Sequence, residues 1–271
     1  MRTTDAVIYV YGIVPGRLDT ANAPQGLDAS RVELILNGEL GALVSELDPV
    51  EYAHDRVESL LADVAWLGPR AVAHDTVLTW ASERGAVIPL KMFTLFSTRG
   101  GVEDMLRSRA SEMQEALRRV APGEEYAVRV FRIPGALSEH LTALSQTVRE
   151  LEIAAASAMP GQRYLLERKL ESERAIEIRR VVSDVVREVH GILAELALDS
   201  TREQPPRQLV EEKGEAGEGT AVLNGFFLVP RGGADTFHEA LRQLASRHEP
   251  HGFRFEVTGP WPPYHFARGR E

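Results

Sequence analysis

Apolar positions along the chain fall into short continuous runs and long periodic stripes. Residues 6–14 (AVIYVYGIV) are rich in β-branched and aromatic side chains and stop at Pro15-Gly16, which predicts a buried strand. Residues 32–36 and 41–45 are two more apolar runs, and Asn37-Gly38 between them predicts a hairpin because both residues tolerate positive φ. Asp48-Pro49 opens a helical region in which Val57, Leu60, Leu61 and Val64 fall at helical spacing. Gly68-Pro69 predicts an interruption, with Pro69 in the first turn of a new helix that Val72, Val77, Leu78 and Ala81 carry to Gly85. Residues 86–90 read as a short strand, and residues 92–96 extend its apolar run, as expected of a segment buried on both faces. Gly100-Gly101 precedes a helix with Met105, Leu106, Met113 and Leu117 on one side, ended by Pro122-Gly123. Residues 126–133 (YAVRVFRI) read as the next strand.

The clearest periodicity follows. Leu137, Leu141, Leu144, Val148, Leu151, Ala155 and Ala158 recur at alternating spacings of four and three, up to the break at Met159-Pro160-Gly161. Ala175, Ile178, Val182, Val185, Val189, Ile192 and Leu196 repeat the spacing in a second helix expected over residues 162–198. Two seams joined by a tight Pro-Gly turn predict an antiparallel helix pair, which either covers a sheet or reaches a partner. Beyond Pro205-Pro206, residues 207–211 suggest a strand and residues 213–219 a flexible acidic loop. Residues 221–229 suggest a strand, residues 236–248 an amphipathic helix, and residues 252–258 a strand with one buried face. The tail, residues 259–266 (GPWPPYHF), is expected to form no regular element, since three prolines remove backbone donors. Its concentration of aromatics suits either a stiff strap over its own domain or a docking segment.

The predicted fold class is α+β. The second half runs β-α-α-β-β-α-β, a ferredoxin-like (split βαβ) order with an elongated antiparallel helix pair and an extended Pro/aromatic tail. The first half resembles the same plan with its first helix replaced by a loop or an extra strand. The expected domains are residues 1–120 and 121–271, the second including the tail 259–271. The length of 271 residues agrees with two domains at ~150 residues each.

Composition then narrows the chemistry. Hydrophobic residues at 44% and charged residues at 26% indicate a globular protein. A formal net charge of −9 disfavours a nucleic-acid binder that works by neutralising phosphates. The absence of cysteine removes disulfides, thiolate metal sites and cysteine nucleophiles. Neither a leader peptide nor a membrane span is expected, which predicts a cytoplasmic protein. Phosphate-loop and Gly-x-Ser-x-Gly signatures are absent. Gly232-Gly233 before a helix reads as a plain turn. His248 and His251 bracket Glu249-Pro250 and are expected at the surface rather than on a metal. His74-Asp75 and His54-x-x-x-Glu58 are the candidate acid–base pairs. Gly225-Phe226-Phe227-Leu228-Val229 matches an RNA-recognition strand only loosely, with Asn224 where a basic residue is expected, and reads as core. No cofactor and no metal are expected.

At the tail the chain resembles a known family. Gly259-Pro260-Trp261-Pro262-Pro263-Tyr264-His265-Phe266 is similar to the terminal signature of the gas vesicle protein F/L family (GvpF/GvpL). Tyr9-Val10-Tyr11-Gly12-Ile13-Val14 resembles the family's opening strand. His74 followed by residues 87–96 (VIPLKMFTLF), and residues 162–169 (QRYLLERK), resemble two further blocks in the right order. One departure is Met92-Phe93-Thr94, where the family more often has Phe-Gly-Thr; glycine reaches backbone conformations that phenylalanine disfavours. The resemblance implies a non-enzymatic accessory or minor structural protein of gas vesicle assembly. Its implied partners are the small hydrophobic shell protein and other gas vesicle accessory proteins, with no nucleic acid, and its implied location is the cytoplasm and the gas vesicle. The candidate partner-binding residues are Leu90, Phe93, Phe96, Trp261, Tyr264 and Phe266. The alternative is a small-ligand-binding or enzymatic ferredoxin-like protein using His54 and His74.

Overall fold

The computed structural model describes residues 6–204 and 219–267. The architecture is α+β with two antiparallel sheets. The chain divides into two compact units, Met1–Glu125 with Pro260–Glu271, and Tyr126–Gly259. The expected tail assignment is therefore corrected: the tail groups with the first unit, where its aromatic and polar groups find their partners.

The first unit opens with β1 (Val7–Pro15), followed by β2 (Glu33–Asn37) and β3 (Leu40–Leu47). The hairpin turn is Gly38-Glu39, closed by the Asn37–Leu40 pair, with Gly38 at φ 60°. Helices α1 (His54–Leu60) and α2 (Val64–Arg84) lead to the two-residue strands β4 (Ile88–Pro89) and β5 (Leu95–Phe96). The sheet order is β2-β3-β1-β4, with β5 also paired to β1. Helices α3 (Arg99–Ser108) and α4 (Ala110–Val120) complete the unit, so the single helix expected after Gly100-Gly101 is broken at Arg109. Gly68-Pro69 does not interrupt α2. Asp63 sets the helix start by accepting from the N–H groups of Ala65 and Trp66, and Pro69 sits inside the helix it was expected to begin.

Strand β6 (Gly123–Arg132) leads to α5 (Pro134–Leu144), α6 (Gln146–Ser157) and α7 (Pro160–Glu195). The expected unbroken first seam is split at Ser145, whose side chain accepts from Val148 N–H and donates to Glu177 Oε2. Arg180 and Ser145 together hold the Glu177 carboxyl below the usual range. The 36 residues of α7 span about 54 Å. Strand β7 (Asp199–Glu203) pairs with β8 (Thr220–Pro230), followed by α8 (Ala234–His248) and β9 (Phe253–Trp261). The order is β7-β8-β6-β9. Within each sheet, counted along the chain, the strands therefore lie second, third, first, fourth. The expected strand at 207–211 and most of the acidic loop at 213–219 lie outside the described residues. Strand β9 runs on through Gly259, Pro260 and Trp261, where no regular element was expected; an edge strand tolerates proline because one side of its backbone needs no ladder donor.

The cores differ in kind. In the second unit Leu137, Leu141, Val181, Val185, Val189 and Leu193 from the helices meet Val128, Val130, Leu223 and Phe227 from the sheet. His248 is buried at 8% exposure beside Glu188, which corrects its surface reading. The first unit's core includes the polar-tipped rings Tyr9, Tyr11, Tyr52 and Trp80 among its aliphatics.

Candidate partner-binding surface

All six candidate residues lie in the first unit. Strand β1 bears the edge segment on one side: Gly12 faces Pro89, Ile13 faces Ile88, Ile8 faces Phe96 and Tyr9 faces Leu95. A β-bulge shifts the β1 register between Val10 and Gly12. A Cβ at position 12 would lie 2.7 Å from the Ile88 carbonyl oxygen, so only glycine admits this close approach. Between β4 and β5 the chain makes a tight turn. Thr94 N–H and Oγ1 both donate to the Lys91 carbonyl, at 3.2 and 2.7 Å. The turn puts Phe93 at φ 59°, a left-handed conformation that costs a bulky residue about 1–2 kcal/mol.

Aromatic packing holds Phe93 there. Its ring stacks on Trp66 at 5.4 Å between centroids and meets Tyr9 edge-on at 6.2 Å. The Tyr9 hydroxyl lies 2.7 Å from His74 Nδ1. Burial drives the His74 pKa down to about 4, against a smaller upward pull from its hydrogen bond to the Leu90 backbone. A neutral ring that donates to Leu90 and accepts from Tyr9 uses both nitrogens. His74 thus ties the edge segment to the core. Its side chain is spoken for, and His54 lies apart in role, on α1 with an 83%-exposed side chain 3.3 Å from Glu58.

The tail closes onto the same core. Tyr264 packs against the aromatic cluster as Phe93 does, and its hydroxyl donates to Asp75 Oδ1 at 3.2 Å. Glu125, only 1% exposed, accepts from His265 N–H at 2.9 Å and lies 2.6 Å from His265 Nδ1. Arg119 Nε donates to the Phe266 carbonyl at 3.1 Å, and Phe266 itself is buried at 4% exposure. Tyr264 and Phe266 are therefore strap residues. Leu90, Phe93 and Phe96 are half-buried, and Trp261 is 38% exposed. The apolar run at 87–96 is fully buried only at its start, from Val87 to Pro89, so the expectation of burial on both faces holds for part of it.

One cluster had no sequence signal. Arg70 lies over Trp66 at 4.2 Å, pairs with Asp28 Oδ1 at 2.9 Å and donates from Nε to the Tyr52 hydroxyl at 2.9 Å. The Tyr52 hydroxyl donates to Asp28 at 2.5 Å, which fixes the left-handed Asp28 at φ 51°. Burial and the Asp28 carboxylate push the Tyr52 pKa up. These residues come from three separate stretches, so no spacing could have joined them.

This geometry has relatives. The chain is 28% identical to gas vesicle protein L of Streptomyces sp. (strain CB03234), covering 98% of this chain and 94% of that one. It is 27% identical to gas vesicle protein L2 of Halobacterium salinarum, over 96% of this chain and 90% of the relative. Its fold is similar to the crystal structure of gas vesicle protein GvpF from Anabaena sp. PCC7120, with a TM-score of 0.70, 18% identity and 98% of each chain covered. Residues 7–268 match the family described as gas vesicle synthesis protein GvpL/GvpF, and the chain belongs to that family.

Proposed function

We propose that the chain serves gas vesicle assembly as a non-catalytic escort, binding the small hydrophobic shell protein and other assembly proteins in the cytoplasm. The observation that carries the reading is the half-buried apolar edge from Leu90 to Phe96 in a member of this family. Strands β4 and β5 are two residues long and are separated by a turn bearing exposed Lys91, which blunts pairing with another strand. A partner therefore meets side chains, Leu90, Phe93 and Phe96, rather than a row of backbone donors. Trp261 is the one tail residue assigned to the contact. The net charge of −9 keeps such an escort soluble while it holds an apolar subunit. Both units read as ferredoxin-like variants, supported by their common strand order.

Removing the gene from a gas vesicle cluster should leave cells that do not float. In a pull-down with the shell protein, Leu90→Asp and Phe96→Asp should reduce capture at least ~10-fold while circular dichroism stays unchanged. Undiminished capture by both folded variants rejects this edge as the contact.

A further inference from the structure

A cleft with a different lining lies in the first unit, away from the aromatic core. The end of β1, the β2–β3 turn and α4 enclose an open cleft of about 560 Å³. That volume is in the range of small-ligand and short-peptide sites. Pro15, Leu40 and Leu117 give it an apolar floor, and Arg17, Arg118, Glu39 and Gln114 line it with polar groups.

The arginines are unusual for this unit. The other described ones are engaged: Arg31 and Arg99 with Glu33, Arg56 with Glu51, Arg70 with Asp28, Arg84 with Glu83, Arg107 with Asp104, Arg109 with Glu112, and Arg119 with the Phe266 carbonyl. The Arg17 and Arg118 side chains make neither an ion pair nor a hydrogen bond among the described residues. Both are exposed, and both line this one cleft. Glu39 is partly engaged by Gln114, whose Nε2 donates to it at 3.4 Å. With one carboxylate against two guanidiniums, the lining carries a net +1 in a chain whose net charge is −9.

We infer that this cleft binds an acidic–apolar peptide segment of a partner protein. An apolar side chain of the segment packs on half-buried Pro15 above the buried Leu40 and Leu117, and an adjacent carboxylate takes the two unpaired guanidiniums, which are suited to planar bidentate acceptors. Glu39 sets the sign of the selection: it repels a second closely spaced negative charge, so a mixed peptide suits the cleft better than a polyanion.

The test uses the full chain and fluorescence anisotropy with a labelled heptapeptide, Gly-Ser-Leu-Glu-Leu-Asp-Gly, and its neutral counterpart with Gln and Asn in place of Glu and Asp. The acidic peptide should bind at least ~10-fold more tightly, and raising salt ~10-fold should erase most of that difference. Arg17→Glu with Arg118→Glu should abolish the preference, and Glu39→Gln should strengthen it about 3-fold. Both arginines are exposed, so the double variant should keep its circular dichroism; should it unfold, the Glu39→Gln variant and the neutral peptide still decide. Equal binding of the two peptides, no binding of the acidic one up to ~1 mM, or weakening by Glu39→Gln overturns the proposal. So does retention on phosphatidylglycerol vesicles that the double arginine variant loses while peptide binding is unchanged.

Discussion

The two units share a strand order but fill the space over their sheets differently. In the second, the link from the first strand of the sheet to the next is helical, and α5, α6 and α7 bury aliphatic side chains while satisfying their own backbone. In the first, the corresponding link, residues 16–32, is a loop with one 3-10 turn at Leu27–Ala29. Where this loop passes over the core, at buried Gly26 and Leu27, it has no ladder of its own, so side chains must supply one. Leu27 N–H donates to the Tyr11 hydroxyl at 2.9 Å, Tyr11 donates to Ser45 Oγ at 2.9 Å, and Ser45 donates to the Arg31 carbonyl at 2.9 Å. Replacing helix by loop therefore replaces aliphatic burial by a polar relay, and makes the first unit the more dependent on a few hydroxyls and on its strap.

The largest expected break of this comparison is removal of residues 262–271. It deletes Tyr264 and Phe266 and leaves Glu125 buried without its His265 partner, a loss of about 5 kcal/mol or more from the first unit. Calorimetry should show the first unit's transition lost and the second unit's retained; one shared transition would mean the two do not differ in this way. Acidification comes next. His74 has its folded pKa lowered to about 4 from 6.5, so the unfolded chain binds the proton first. The His74 contribution is constant above pH 6.5 and is lost as pH drops from there to 4, by up to about 3 kcal/mol. Burial also lowers His190 and His248 in the second unit, so that unit should weaken by a smaller amount over the same window. Denaturant titrations of wild type and His74→Gln between pH 7 and pH 4 measure the slope, which the substitution should flatten.

Two hydroxyl deletions sharpen the contrast. Tyr11→Phe orphans the Leu27 N–H and should cost about 2 kcal/mol in chemical denaturation. Ser145→Ala, at the α5–α6 junction, should cost about 1 kcal/mol, because Arg180 still holds Glu177 and only one cap is lost. Equal costs would show that the helical unit leans on side-chain hydroxyls as much as the loop-built one.

What the sequence disclosed follows the range of the physics. Local signals worked: the apolar run of β1, the Asn37-Gly38 region, the α6–α7 reversal at Pro160-Gly161 and the aromatic alternation of β9 each rest on neighbours in the chain. Strand β7 was missed because Asp199-Ser200-Thr201-Arg202-Glu203 is polar throughout; it is an edge strand defined by its partner β8, not by its own pattern. The Ser145 break was hidden because the heptad spacing continues across it. For the candidate surface, the apolar run and the tail were visible, but their union on one core was not. Tyr264 and Asp75 are 189 positions apart, and Glu125 and His265 are 140 apart. The burial of Phe266 and the cost of Phe93 at positive φ are likewise tertiary facts that composition does not carry.

The strap also sets an order of events in synthesis. Residues 1–125 leave the ribosome early, but the piece that seats on Asp75 and Glu125 is made only after all of residues 126–259. The first unit therefore cannot complete its core until the whole of the second has been synthesised. Until then the Tyr9–Trp66–Phe93 cluster lacks Tyr264, and the nascent protein shows more aromatic surface than the finished one. A translation product cut short before Tyr264 would thus carry a faultless N-terminal sequence and an incomplete N-terminal core.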